Sequence, residues 1–143
     1  MWNYIADIEN LKNFQSEIND ETFQYITDLG FYDPDSHTSL HDAWLVSLNM
    51  IYGNTKDLLQ RKFEPVNLQL CFLGAYHDQI IDIFYEDVLQ YKIEGNGDLS
   101  DLLTHKFAWH DDHLCHELCF ATGKLVIEFK NVRFKVSSVE ENF

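Results

Sequence analysis

Five residues of types that bind zinc lie within ten positions of one another in the last third of the chain. They are His110, His113, Cys115, His116 and Cys119. Imidazole and thiolate are preferred zinc ligands, so this cluster is the strongest local candidate for metal chemistry. A structural zinc site usually joins two separated ligand pairs, and the nearest possible partners upstream are His77 and His105. On a strand the cluster would also be divided between two faces. Zinc binding or metal-dependent catalysis is therefore kept as an alternative, and we expect no cofactor.

Other catalytic patterns are weaker. Each of the three cysteines falls inside a strand-like pattern, whereas an exposed nucleophile usually sits on a strand-to-helix turn. No Gly-Xaa-Ser-Xaa-Gly stretch occurs, and Gly95-Asn96-Gly97 lacks the third glycine and the lysine of a phosphate-binding loop. Adjacent acids are more typical of solvated turns than of acid–base pairs. We expect a protein that is not an enzyme and has no catalytic residues.

The first part of the chain, residues 1–36, has the spacing of helices. Ile5, Ile8 and Leu11 begin an apolar stripe that recurs every three or four positions. Asn19 or Asp20 can cap a second helix start, because a short polar side chain there accepts a hydrogen bond from the first turn. We therefore predict a helical hairpin or one kinked helix.

Residues 40–137 change to a period of two, which is typical of antiparallel strands with one covered face. Alternation predicts strands at 44–51, 66–72, 80–85, 88–93 and 125–129, a turn at 95–97 and a short helix within 98–106. The strand that contains Trp44 is apolar on both faces, which favours a doubly covered position. The prediction is one α+β domain, 1–143, with N-terminal helices packed on one antiparallel sheet of about five or six strands, a meander of hairpins.

A weak repeat relates two hairpins. Leu70-Cys71-Phe72 and the segment 83–88 recur as Leu118-Cys119-Phe120 and 127–132. In the second copy the inward positions change from odd to even numbers, which indicates a β-bulge at Lys130-Asn131. A single helical layer covers only one face of a sheet. The second apolar face would need another cover, and a second copy of the chain in a homodimer is one candidate.

Charge limits the partners. The chain carries 24 Asp and Glu against 10 Lys and Arg, a net charge of −14, and 10 of these acids lie in residues 1–60. A nucleic-acid or anionic-membrane surface is a poor ligand for such a protein, whereas a basic protein would be attracted over long range. The start of the chain has no export-signal pattern and the odd number of cysteines agrees with a reducing compartment, so we expect a cytoplasmic protein.

Three short motifs carry a resemblance. Leu40-His41-Asp42-Ala43, the segment 83–88, and Leu114-Cys115-His116-Glu117-Leu118 leading to 127–129 resemble a loose group of small acidic bacterial cytoplasmic proteins. Some members of that group are similar to predicted immunity proteins of polymorphic toxin systems. The resemblance covers roughly residues 40–136 and brings no catalytic residues with it.

The leading hypothesis is an immunity-type antitoxin: a protein-binding module that occludes a basic partner, such as a toxin, with an acidic surface. A mimic of nucleic acid that inhibits a phage or plasmid defence system is a further alternative. The residues expected to contact the partner are aromatic anchors and nearby acids: Phe31, Tyr32, Asp33, Asp35, Tyr76, Glu86, Asp87, Trp109, Asp111 and Asp112.

Overall fold

Two short helices precede eight strands in the part of the chain that the structure describes. The structure is a computed structural model, and it describes residues 2–52, 65–95 and 99–142. The α+β class and the helical N-terminal part are confirmed. The elements are α1 (Tyr4–Lys12), α2 (Asp20–Ile26), β1 (Trp44–Tyr52), β2 (Pro65–Leu73), β3 (Gln79–Glu86), β4 (Gln90–Gly95), β5 (Leu102–His110), β6 (His113–Phe120), β7 (Gly123–Phe129) and β8 (Asn131–Ser138), with short 3-10 turns at Gln15–Glu17, Leu29–Phe31 and Val139–Asn142.

The single sheet of five or six strands is wrong. The strands form two four-stranded antiparallel sheets, with the orders β1-β2-β3-β8 and β4-β7-β6-β5. The second sheet consists of the four consecutive strands β4 to β7, whereas the first consists of β1 to β3 and the last strand, β8. The repeated hairpins of the sequence are β2–β3 and β6–β7, which lie at the centre of the two sheets.

The two sheets share one bent ladder of hydrogen bonds. Strand β3 pairs with β8 and β4 pairs with β7, so the chain crosses between sheets once at 86–90 and once at 129–131. At these crossings the Lys130 N–H donates to the Glu86 carbonyl (3.2 Å) and the Leu89 N–H donates to the Glu128 carbonyl (2.8 Å). Such corners let strands switch sheets. The predicted β-bulge at Lys130-Asn131 is therefore wrong, because the change in inward parity marks the crossing.

Two further predictions fail for reasons of tertiary pairing. Most of the short helix expected within 98–106 is strand, since Leu102 pairs with Phe120 and exchanges backbone hydrogen bonds with the Ala43–Asp42 segment. Residues 96 and 97 of the predicted turn lie outside the described residues. The Trp44 strand is an edge of its sheet rather than a doubly covered strand, and Trp44 is 48% exposed.

The core lies between the facing sides of the two sheets. Aromatic rings meet across it, with ring centroids of Tyr85 and Phe129 5.0 Å apart and those of Phe107 and Phe134 6.3 Å apart. The sheet face that was expected to need cover from a second copy is thus covered within the chain. A homodimer stays a prediction, without this argument for it. The inward residues of the central hairpins are Leu68, Leu70, Phe72, Ile81, Ile83, Tyr85, Leu114, His116, Leu118, Phe120, Leu125, Ile127 and Phe129.

The helical layer, which we define as residues 2–36, covers an edge strand of each sheet. Helix α1 packs against β5 and α2 packs against β8, burying Ile8, Leu11 and Ile26. The predicted start of the second helix is confirmed, because the Asn19 side chain accepts a hydrogen bond from the Thr22 N–H (3.2 Å).

Thr22 links the helical layer to the edge of the first sheet. Its buried hydroxyl accepts from the Val132 N–H (3.1 Å) and donates to the Val132 carbonyl (3.3 Å). The hydroxyl thus satisfies both backbone groups of one edge residue, which an unpaired edge strand would leave open.

We expect Thr22→Val to destabilise the fold by about 1–3 kcal/mol, because it buries two backbone groups without partners. The matched control is Thr27→Val, since the Thr27 hydroxyl donates to the Phe23 carbonyl, which already accepts the Thr27 N–H. Urea unfolding curves measure both. Equal losses in the two variants would contradict this role of Thr22.

Candidate functional site

The His and Cys cluster is divided by strand β6. His116 points into the core and is fully buried, whereas His113 lies on the outer face, where each ring nitrogen is 2.8 Å from a carboxylate oxygen, of Asp112 or Glu128. The predicted division of the cluster between two faces is confirmed. Across residues 2–52, 65–95 and 99–142, no three His, Cys, Asp or Glu side chains are grouped to hold a metal ion.

Two of the three thiols, one buried and one partly buried, are held in their neutral form. Burial, followed by the nearby Glu128 and Glu117 carboxylates, raises the pKa of Cys115 to about 11. Burial and Asp82 likewise raise the pKa of Cys71 to about 11. A thiol needs to ionise to act as a nucleophile or zinc ligand, so both environments work against either role.

We therefore expect zinc to have little effect on this protein. Zinc bound at a specific site would stabilise the folded state and raise the melting temperature. Because we expect no such site, adding one equivalent of Zn²⁺ to protein prepared without an affinity tag, or adding EDTA, should leave the melting temperature unchanged. Differential scanning fluorimetry and metal analysis check this. Stoichiometric zinc that His113→Gln removes would revive the metal-site alternative.

A chain of buried polar side chains crosses the core. The Tyr85 hydroxyl is 2.5 Å from His116 Nδ1, and His116 Nε2 is 3.0 Å from His105 Nδ1. His105 Nε2 is 2.9 Å from the Phe31 carbonyl oxygen. We call these four residues the buried relay. It connects β3, β6 and β5 to the helical layer.

The partners of the buried relay fix the position of every proton. The Phe31 carbonyl can only accept, so His105 donates from Nε2. With His105 neutral, its Nδ1 accepts from His116 Nε2, and His116 Nδ1 accepts from the Tyr85 hydroxyl. Both imidazoles are then neutral Nε2–H tautomers with every donor used. A proton added to either ring leaves two donors facing each other or the Tyr85 hydroxyl without an acceptor.

Burial favours this neutral state. The ring of Phe107 stacks on His116 at 3.7 Å, and the ring of Tyr32 stacks on His105 at 4.4 Å. Burial lowers the pKa of His105 to about 4, against the weaker effect of the Phe31 carbonyl. Burial, with His105 nearby, lowers the pKa of His116 well below its usual value. Because all three side chains are 1% exposed or less, the buried relay is closed to a substrate.

Part of the buried relay was accessible from the sequence. The predicted division of the cluster sets His116 on the same strand face as Leu114 and Leu118, and the structure shows that this is the inner face. His105 was missed because its segment was predicted to be helical. The inward alternation of His105 with Phe107 was the signal that a strand prediction would have used.

Protein stability should fall as the pH falls from about 6.5 to about 4. In the unfolded chain each imidazole takes up a proton near 6.5, whereas in the folded protein burial lowers the pKa of His105 to about 4, so acid favours unfolding. Each of the two buried imidazoles should contribute about 1.4 kcal/mol per pH unit in this window. Denaturant unfolding at a series of pH values measures the slope.

His116→Gln should remove about half of that slope, because an amide offers the same donor and acceptor without titrating. The matched control is His110→Gln, at an exposed histidine of β5, and it should keep the full slope. His113 has the opposite effect on the slope. Partial burial opposes protonation of His113, but hydrogen bonds to Asp112 and Glu128 raise its pKa, so this residue stabilises the fold as the pH falls.

Imidazole ¹⁵N spectra test the buried relay directly. An Nδ1–H signal from His105 or His116 at neutral pH would contradict it.

Two of the predicted partner-binding aromatic residues are core residues. Phe31 is 6% exposed and Tyr32 is 1% exposed, and the Tyr32 hydroxyl donates to the Ile26 carbonyl. They were wrongly expected to be surface anchors, because the turn-like sequence that follows them does not reveal that they close the gap between the sheets. Trp109 is partly buried against Phe14. Tyr76 is 48% exposed and stacks on a neighbouring histidine ring.

The predicted acidic residues occupy three different turns. Asp33 accepts from the Asp35 N–H (3.0 Å), and Glu86 lies 3.5 Å from Arg133. Asp87 and Asp111 have left-handed backbones, with φ of 53° and 54°, which aspartate tolerates in turns. These acids therefore do not form one continuous patch through direct contacts. The last of them, Asp112, pairs with His113.

Negative charge is concentrated on the helical layer. Residues 2–36 contain eight acids and one lysine, and the structure places six of those acids in exposed positions: Glu9, Glu17, Asp20, Glu21, Asp28 and Asp35. The one ion pair within this described segment joins Glu9 to Lys12. The outer faces of the sheets carry ion pairs that offset part of their charge. These pairs are Lys92 with Glu94, Lys124 with Glu117, and Arg133 with Glu86.

A depression of about 330 Å³ lies where the helical layer meets the second sheet. Asp7, Lys106 and Glu117 are among its lining residues. Burial raises the pKa of Asp7, with Lys106 opposing and Glu117 adding to the shift. The depression therefore extends the carboxylate-rich surface of the helical layer onto the neighbouring sheet.

Comparisons with known proteins add the following. No protein-family model matches this sequence, and no curated protein matches it. A solved structure of an uncharacterized protein from Neisseria gonorrhoeae is similar at 11% sequence identity and a TM-score of 0.48, covering 66% of this chain and 91% of that one. No helix among the described residues has the length and apolar character needed to cross a bilayer.

Proposed function

We propose that this protein is a non-enzymatic binding module whose acidic helical layer occludes a basic protein partner, in the manner of an immunity-type antitoxin. The observation that carries the proposal is the uneven charge: the helical layer has seven more acids than bases, whereas the outer faces of both sheets pair their charges. A cytoplasmic location is part of the proposal and agrees with three free cysteines.

The chemistry of the layer suits a protein more than other partners. Uncompensated carboxylates attract a cationic surface at long range and raise the rate of encounter, while they repel phosphate. A toxin that binds nucleic acid needs such a cationic surface. An acidic partner laid over that surface would block access of the nucleic acid. Residues 40–136 resemble a loose group of small acidic bacterial proteins, some of which are similar to predicted immunity proteins, and this resemblance points in the same direction.

The helical layer is tied to both sheets by hydrogen bonds on its inner side. Its inner side is fixed by the Phe31 carbonyl in the buried relay and by Thr22 on the edge of β8. Side chains on its outer side are therefore held on a rigid support, which lowers the entropy lost on binding.

A variant with Glu17→Gln, Asp20→Asn and Glu21→Gln should lose partner binding at moderate salt, because it removes three exposed carboxylates from the layer. The protein is immobilised and incubated with lysate of its native host at low and raised salt. Each captured protein is then purified, and the acidic protein is tested as an inhibitor of its activity.

The matched control carries Asp42→Asn, Asp101→Asn and Glu140→Gln, which make the same change in net charge at exposed positions outside the layer. The control should retain the partner and the inhibition. Capture that is indifferent to salt, or that the two variants lose equally, would refute the role of the helical layer. A captured partner that continues to work at full rate when bound would refute the inhibitory function.

A further inference from the structure

An apolar groove opens within the acidic helical layer. It has a volume of about 190 Å³ and lies between α1 and the turn that follows α2. Ile5 and Leu29 stand on its sides and are 50% and 51% exposed, while Ile8 is 4% exposed. Glu9, Lys12 and Thr27 complete the lining. The strongest contacts of protein interfaces are anchor side chains that fill pockets, and this groove offers a concave apolar site for one such side chain.

The charges around this groove favour one kind of occupant. Lys12 is the one basic residue of the lining, and its ammonium group lies 2.8 Å from the Glu9 carboxylate. Asp28 is exposed, directly precedes Leu29, and is held by a hydrogen bond from the Gly30 N–H (2.8 Å). The rest of the layer adds further carboxylates and no further base. An apolar centre with a negative rim is complementary to an apolar side chain with positive neighbours.

We infer that this groove is the anchor site of the helical layer, and that it takes a large apolar side chain flanked by arginine or lysine in a basic polypeptide. This inference rests on the proposed function and names the contact at its centre. Long-range attraction by the carboxylates brings the partner to the layer, and burial of the apolar side chain between Ile5 and Leu29 then slows its release. Other exposed apolar residues, such as Val46 on β1, do not line this groove.

Three tripeptide amides test separately whether the groove requires an apolar side chain and whether it requires basic neighbours. One has phenylalanine between two arginines, one has serine between two arginines, and one has phenylalanine between two glutamates. Each is titrated at low ionic strength into ¹⁵N-labelled protein, and the amide signals are followed by NMR. The first peptide should shift the signals of Ile5, Thr27 and Leu29, and the other two should leave those three signals in place.

Leu29→Ser should raise the dissociation constant of the first peptide by about tenfold, the loss expected for one apolar anchor. Val46→Ser is the matched control, because Val46 is 62% exposed on β1 outside the helical layer, and it should leave the constant unchanged. Both substitutions are at exposed positions, and the NMR spectra report at once whether each variant is folded.

Three outcomes would overturn the inference. If both arginine peptides shift signals of the acidic residues and neither shifts the groove, the groove is not the anchor site and the proposed function stands. If the glutamate peptide binds the groove as tightly as the arginine peptide, the basic occupant is wrong. If no peptide shifts the groove while capture of a partner still depends on Glu17, Asp20 and Glu21, the anchor lies elsewhere on the layer.

Discussion

Backbone hydrogen bonds that run from one sheet into the other are the constraint on which this fold depends. The ladder of β3 with β8 continues into that of β4 with β7, and the Lys130 N–H and the Leu89 N–H hold the corner. The first sheet is completed by β8, which the chain reaches only after it has passed through all four strands of the second sheet. The two sheets are therefore obliged to face each other, and their inward side chains form one core.

That core contains groups that are costly to bury, and their arrangement explains why they are tolerated. Two imidazoles and a phenol lose their hydration inside the sandwich, and each regains a partner in the buried relay. The last acceptor of the relay, the Phe31 carbonyl, belongs to the helical layer. One hydrogen bond of the relay thus joins the core to the element that carries the acidic surface. Stability at neutral pH and the position of that surface share this contact.

Local patterns in the sequence were enough to predict most of the elements, and long-range pairing decided the architecture. Alternation at 66–72 predicts strand β2, and Asn19 marks the start of α2, because both signals act within a few residues. Alternation indicates that one face of a strand is covered, but it does not distinguish cover by helices from cover by a second sheet. The parity change near Lys130 was visible and was assigned to a bulge. The spacing of Leu99, Leu102 and Leu103 fits a helix, although pairing with Phe120 makes that segment a strand and turns His105 inward.

The residues of the helical layer form two sets, one buried against the sheets and one exposed. Ile8, Leu11, Thr22, Ile26 and Phe31 are committed to the sandwich. Glu17, Asp20, Glu21 and Asp35 project outward from the same short stretch and take no part in the core. Outward residues can consequently be exchanged over generations while the interior stays as it is. Substitutions in the outward set alter the electrostatic field of the protein and leave the packing of the sandwich unchanged.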